Sequence, residues 1–203
     1  MIYGYPGCGK SYFASQFAKE FHNTVYLNSD KIASELSKNL SRNDHLIDRM
    51  MEYIIENYLE NGISVVSDMP VIKKTDRKRL GHMALKHKVS PILVWMQIDA
   101  ESSFLRTKLR AKKSKKENSF AIYTKQQFQD ITNAMQNPQD EDFFVISGKH
   151  TYKSQRALVM SKMSTLKIIN REQASKSMAK PGMVNLVPPS LSGRGFGRNI
   201  SIR

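Results

Sequence analysis

Cysteine is almost missing from this chain. Its 203 residues hold one, Cys8, which excludes an internal disulfide and fits a reducing compartment, read as the cytoplasm. Long apolar runs are missing too: none approaches the ~18 residues a membrane-spanning helix needs. No basic segment followed by an apolar one and a cleavage site opens the chain, so no signal peptide is visible. The five histidines, His22, His45, His82, His87 and His150, fall without metal-ligand spacing; His82 and His87 miss the i, i+4 face of a helix.

Acidic residues are scarce in one region. Residues 147–203 carry 11 Lys and Arg against one acid, Glu172, whereas residues 1–146 carry 21 against 17. The net charge of +14 is therefore concentrated in the C-terminal quarter, which suits a nucleic acid or another acidic partner. From about Ile169 the hydrophobic pattern dissolves into Pro188-Pro189 and Gly193-Arg194-Gly195-Phe196-Gly197-Arg198. We divide the chain into a domain at 1–168 and a basic, flexible tail at 169–203.

Strands and helices alternate along the domain. Thr24–Asn28, Ile63–Asp68, Ile92–Ile98 and Phe143–Ile146 read as strands, with Trp95 as core. Helices are expected from Tyr12 with Phe13, Phe17 and Phe21 inward, from Ser29-Asp30 to about Leu40, over Asn43–Asn61, and from Thr75 to about Lys88. Three more are expected over Glu101–Leu109, Thr124–Met135 and Tyr152–Leu166. The pattern implies an α/β sandwich of three layers, a mostly parallel sheet with helices on both faces. Only Met1-Ile2-Tyr3 precedes the first turn, so its strand is either short or begins upstream of Met1.

That turn carries the chemistry. Gly4-Tyr5-Pro6-Gly7-Cys8-Gly9-Lys10-Ser11 fits G-x-x-x-x-G-K-[ST], the phosphate-binding P-loop. Glycines let the backbone turn its N–H groups inward, and the helix behind, entered through Tyr12, aims its positive end at the phosphates. Lys10 would reach the β- and γ-phosphates of ATP and Ser11 would ligate Mg²⁺. Asp68 ends an apolar strand, where a carboxylate orients Mg²⁺ or its water; a turn aspartate is the plain alternative. Asp30 follows the second strand, beside the loop, and is either a helix cap or the group that takes a proton from an attacking hydroxyl. Arg106 and Arg110 share a helix face and open a lysine-rich stretch suited to a lid at about 106–123 that closes over ATP.

Together the P-loop, Asn28-Ser29-Asp30, Val65-Val66-Ser67-Asp68 and Arg106 with Arg110 resemble the P-loop kinases that include phage polynucleotide 5′-hydroxyl kinase, predicted AAA-type ATP-binding kinases and zeta-toxin-like phosphotransferases. The resemblance covers about residues 1–166. It implies a five-stranded parallel P-loop NTPase sheet of order 2-3-1-4-5, ATP with Mg²⁺, Asp30 as general base and Arg110 as lid arginine with Arg106 beside it. It implies transfer of the γ-phosphate to a hydroxyl acceptor. A polynucleotide 5′-hydroxyl is one candidate and a small molecule or sugar nucleotide the other; a non-catalytic, nucleotide-dependent nucleic-acid-binding protein is the different-class alternative. Two positions depart from the family pattern on the acceptor side: Ala33 stands where the polynucleotide kinases have an arginine, and Met69-Pro70 follow the strand-end aspartate in place of small polar residues.

Overall fold

The computed structural model describes residues 1–36, 45–113 and 123–169. The tail beyond Ile169, the expected end of the second helix at Leu40 and the lid residues after Lys113 lie outside the described residues.

Five parallel strands carry the fold: β1 (Ile2–Tyr3), β2 (Thr24–Leu27), β3 (Ser64–Ser67), β4 (Leu93–Gln97) and β5 (Phe143–Ser147). Between and after them run α1 (Lys10–Ala18), α2 (Ser29–Leu36), α3 (His45–Glu60), α4 (Lys74–Lys86), α5 (Ala100–Lys113), α6 (Lys125–Ala134) and α7 (Tyr152–Thr165). The two-residue alternation of a strand sorts side chains onto two faces. Val94 and Met96 pair in register with Phe144 and Ile146, and these four sit in the core that also buries Phe13 and Phe17 of α1 and Val159, Met160 and Met163 of α7. Phe13, 1 % exposed, contributes about 2–3 kcal/mol by leaving water. The opposite face is closed by α3 and α4 through Ile47, Met51, Ile55, Leu59, Leu80 and Ala84. Trp95 falls on that second face and is half-buried, packed edge-on against Tyr3 and Phe143, so the expectation of a core tryptophan is only half met.

Of the four neighbour pairs in the expected order 2-3-1-4-5, three form: β2 with β3, β1 with β4 and β4 with β5; among the described residues no ladder joins β3 to β1. Hydrogen bonds join β1-β4-β5 in one group and β2-β3 in another. β1 has two residues, and its pairing with β4 is extended by Val94 N donating to Met1 O and the Met1 ammonium donating to Ile92 O. A cavity of about 770 Å³ is lined by residues of both groups, Val65 and Val66 of β3 with Ile2 of β1 and Val94 of β4 among them.

A buried arginine links the two groups. Arg77 of α4 is 2 % exposed and forms a fork-shaped pair with Glu141, just before β5, at 2.9 and 2.8 Å. Its Nη1 also donates to Val71 O, beyond β3, and its guanidinium lies 5.0 Å from the centre of the Tyr3 ring of β1. One side chain thereby ties α4 to both strand groups.

Candidate active site

The P-loop occupies the turn from β1 into α1, and its backbone accounts for the glycines. Gly9 caps α1 from the left-handed region with φ 109°. Gly7, at φ 88°, packs so closely on α5 that a Cβ would collide with Ser103 O and with Thr107 Cγ2. Ser103 Oγ donates to Pro6 O at 2.8 Å, so the helix leading into the expected lid also braces the loop. Lys10 folds its ammonium onto Gly4 O and Tyr5 O, both at 2.8 Å. Cys8 is fully buried under the loop.

The carboxyl ends of β2 and β3 lie side by side because Leu27 pairs with Ser67. That register brings the next residues together. Tyr26 Oη donates to Asp68 Oδ2 at 2.8 Å, and Asn28 Nδ2 donates to the same oxygen at 2.8 Å and to Tyr26 Oη at 2.9 Å. Ser11 hydrogen bonds the Tyr26 hydroxyl as well. Burial first, and then the negative charge of Asp68 and the bond donated to it, push the Tyr26 phenol well above its ordinary pKa, so it stays protonated and remains a donor. Asp68 is 6 % exposed, and its second oxygen, Oδ1, is buried without a hydrogen-bond partner among the described residues. A buried carboxylate oxygen left in that state is costly unless a cation or donor meets it.

The cap position that was one reading of Asp30 belongs to Asn28. Its Oδ1 accepts from Lys31 N at 2.6 Å, so the cap of α2 is Asn28, and Asp30 sits in the first helical turn. Arg106 donates from Nη1 to Gly148 O at 2.8 Å, in the turn between β5 and α7.

One cavity of about 310 Å³ gathers most of the residues expected from sequence: Lys10, Ser11, Asp30, Asp68, Arg106 and Arg110 all line it, with Gly4, Pro6, Gly7, Gly9 and Tyr12 of the loop. Tyr5 and Cys8 do not; Tyr5 faces a neighbouring cavity and packs on Phe128. Sequence reasoning missed Tyr26 and gave Asn28 no role beyond its place in the Asn28-Ser29-Asp30 motif. The two-residue spacing puts both on one side of the chain, but Asp68, the partner they share, is far from them in sequence. It also missed His87, which lies with Glu56 and Glu60 in a cluster whose ligand atoms are within 4.8 Å of one another; Lys86 Nζ already holds Glu56 Oε1 at 2.9 Å.

A glycine-rich turn between a strand and a helix, with carboxylates at the ends of the neighbouring parallel strands, defines the P-loop kinase fold, a nucleotide-binding phosphotransferase architecture. The family model described as "AAA domain" matches residues 1–138, and the chain belongs to that family. Solved structures share the fold at low identity. A gluconokinase from Sinorhizobium meliloti 1021 is 15 % identical at a TM-score of 0.58, covering 81 % of this chain and 90 % of its own. Kti12 from Chaetomium thermophilum, solved with ADP-AlF3, is 12 % identical at 0.60, covering 80 % and 96 %. A sugar kinase from Janibacter sp. HTCC2649 is 17 % identical at 0.52, covering 84 % and 94 %. No curated protein matches the chain.

Proposed function

We propose that the chain is an ATP-dependent kinase that transfers the γ-phosphate of ATP to a hydroxyl acceptor. What carries this reading is the cavity that holds a phosphate-loop lysine, a carboxylate with an unpartnered oxygen, a second carboxylate and two arginines together.

The donor set fits a magnesium–nucleotide complex. Ser11 Oγ and Asp68 Oδ1 are the hard oxygen ligands that Mg²⁺ takes, directly or through water, and Tyr26 with Asn28 fixes the carboxylate by its other oxygen. When bound there, Mg²⁺ would supply positive charge that offsets the charge of the phosphates. Lys10 leaves the carbonyls of Gly4 and Tyr5 for the phosphates. Asp30 holds the acceptor hydroxyl and takes its proton as the oxygen bonds to the γ-phosphorus. The bond to the β-phosphate oxygen breaks, and ADP departs. Arg106 and Arg110 face the transferring group, where guanidinium donors stabilise the charge that spreads over its oxygens.

Transfer of labelled γ-phosphate to a panel of alcohols, a 5′-hydroxyl oligonucleotide among them, tests the reading. Asp30→Asn is expected to lower transfer by about 10²–10⁴-fold while nucleotide binding persists. Normal transfer by that variant would remove Asp30 from the role of base.

A further inference from the structure

Two of the helices that cover the sheet end beside each other. α3 stops at Glu60, and α4 stops at Lys86 with His87 as its C-cap. These ends lead into β3 and β4, whereas the phosphate loop follows the exit of β1. Glu56 and Glu60 are four residues apart and share one face of α3. His87 meets them from α4, and the ligand atoms of the three side chains lie within 4.8 Å of one another.

The charge pattern at this corner is unfavourable by itself. Two carboxylates at i, i+4 repel each other, and they stand toward the C-terminus of a helix, where the backbone dipole is negative. No basic residue occupies the last turn of α3 to offset them. One cation reaches them from α4: Lys86 Nζ donates to Glu56 Oε1 at 2.9 Å, with its side chain 68 % exposed. Lys86 first, and His87 after it, hold the Glu56 carboxyl below its ordinary range, so it stays ionised. An exposed lysine pair of that kind is weak, and a divalent cation bound by several ligands displaces it.

Geometry and donor chemistry select the cation. His87 Nε2 and Glu56 Oε1 are 3.4 Å apart. Two ligands about 2.1 Å from a tetrahedral zinc ion stand roughly 3.4 Å from each other. The His87 side chain is 14 % exposed, so its orientation is restricted. Glu60 is exposed, and its carboxylate has room to turn inward as the third ligand. Imidazole beside carboxylates suits a zinc-class ion better than Mg²⁺ or Ca²⁺, which take oxygen ligands.

We propose that Glu56, Glu60 and His87 form a site for a zinc-class divalent cation that clamps the end of α3 to the end of α4. Water fills the remaining coordination position, and Lys86 leaves Glu56 when the ion enters. The site is separate from the phosphate-binding cavity and does not depend on the kinase reading.

Zn²⁺ alone is the probe. The full chain, with Mg²⁺ in excess, is titrated with Zn²⁺ by calorimetry while the ring signals of His87 are followed by NMR. One tightly held Zn²⁺ is expected, with the His87 signals moving as it binds and the melting temperature rising. His87→Gln and Glu60→Gln should each weaken binding about tenfold or more and reduce that rise. Lys86→Ala removes the competing cation and should tighten binding. Because Glu60 is exposed, Glu60→Gln keeps the test decisive where His87→Gln fails to fold. No Zn²⁺ bound up to roughly 100 μM leaves the cluster an ion-pair network and overturns the proposal. Binding at full strength in Glu60→Gln and His87→Gln places the ion elsewhere on the chain and overturns it too.

Discussion

Two parts of the cavity lining differ: Lys10 and Asp68 are polar and already bonded to their neighbours, whereas Pro70, Val71 and Ile72 are apolar. Lys10 rests on loop carbonyls, and Asp68 is clasped by Tyr26 and Asn28. Pro70, Val71 and Ile72 carry hydrocarbon side chains, and the carbonyls of Val71 and Ile72 accept from Arg77 and Gln136. The difference teaches how the two parts respond to substitution. Polar preorganisation is lost one donor at a time, with an effect on rate or metal affinity. An apolar stretch held through its backbone is lost through stability.

Breaking the polar part at its centre should have the largest effect. Lys10→Ala removes the ammonium that meets the phosphates and is expected to lower phosphotransfer by about 10²–10³-fold, read by labelled-phosphate transfer at saturating Mg²⁺. Breaking the support of the apolar part should instead cost stability. Arg77→Met leaves Glu141 with its buried charge unmatched and frees the Val71 carbonyl, a loss of about 3–5 kcal/mol in urea unfolding. Tyr26→Phe takes one donor from Asp68 Oδ2 without altering bulk, and about a tenfold rise in the Mg²⁺ concentration for half-maximal activity is expected, with little change in melting temperature.

The smallest effect lies outside both parts and serves as their control. Glu20, beyond the end of α1, accepts from Arg156 Nη2 at 2.6 Å and from Tyr152 Oη at 2.9 Å. Partial burial raises its pKa, but those two bonds outweigh it and hold the carboxyl below the ordinary glutamate value. A depressed carboxylate pKa stabilises the fold fully above the unfolded value near 4.5, and that stability is lost as pH falls through the lower folded value. Glu20→Gln is expected to cost about 0.5–1 kcal/mol at neutral pH and to flatten the acid limb of a melting-temperature profile, with phosphotransfer unaffected.

The sequence was most legible where the local pattern is also the chemistry. Gly4–Ser11 must be read as a phosphate loop from its glycines and Lys10, and the phenylalanines of α1 had only one way to face the sheet. Asp68 was visible because an apolar strand ended on a carboxylate. Asp30 was less so, since a residue after a strand can cap or catalyse; the cap is Asn28, whose side-chain oxygen accepts from Lys31 N. Tyr26 could not be singled out because its partner is 42 residues away and only the β2–β3 register joins them. The support of Ile72 escaped for the same reason: it meets Gln136 across tertiary distance, and nothing near either residue announces it. The shortness of β1 was legible in Met1-Ile2-Tyr3, whereas the lack of a ladder between β3 and β1 among the described residues was not.

Arg77 reaches beyond the stretch it supports. The strand groups share no ladder, so each could in principle melt by itself, with β2–β3 and α3 letting go before β1-β4-β5. A single guanidinium bonded to the exit of β3, to the entry of β5 and to the face of a β1 ring makes such partial melting expose a buried charge. The consequence is thermal cooperativity: the domain should unfold in one transition by calorimetry, and loss of this side chain should split or broaden that transition as well as lower it.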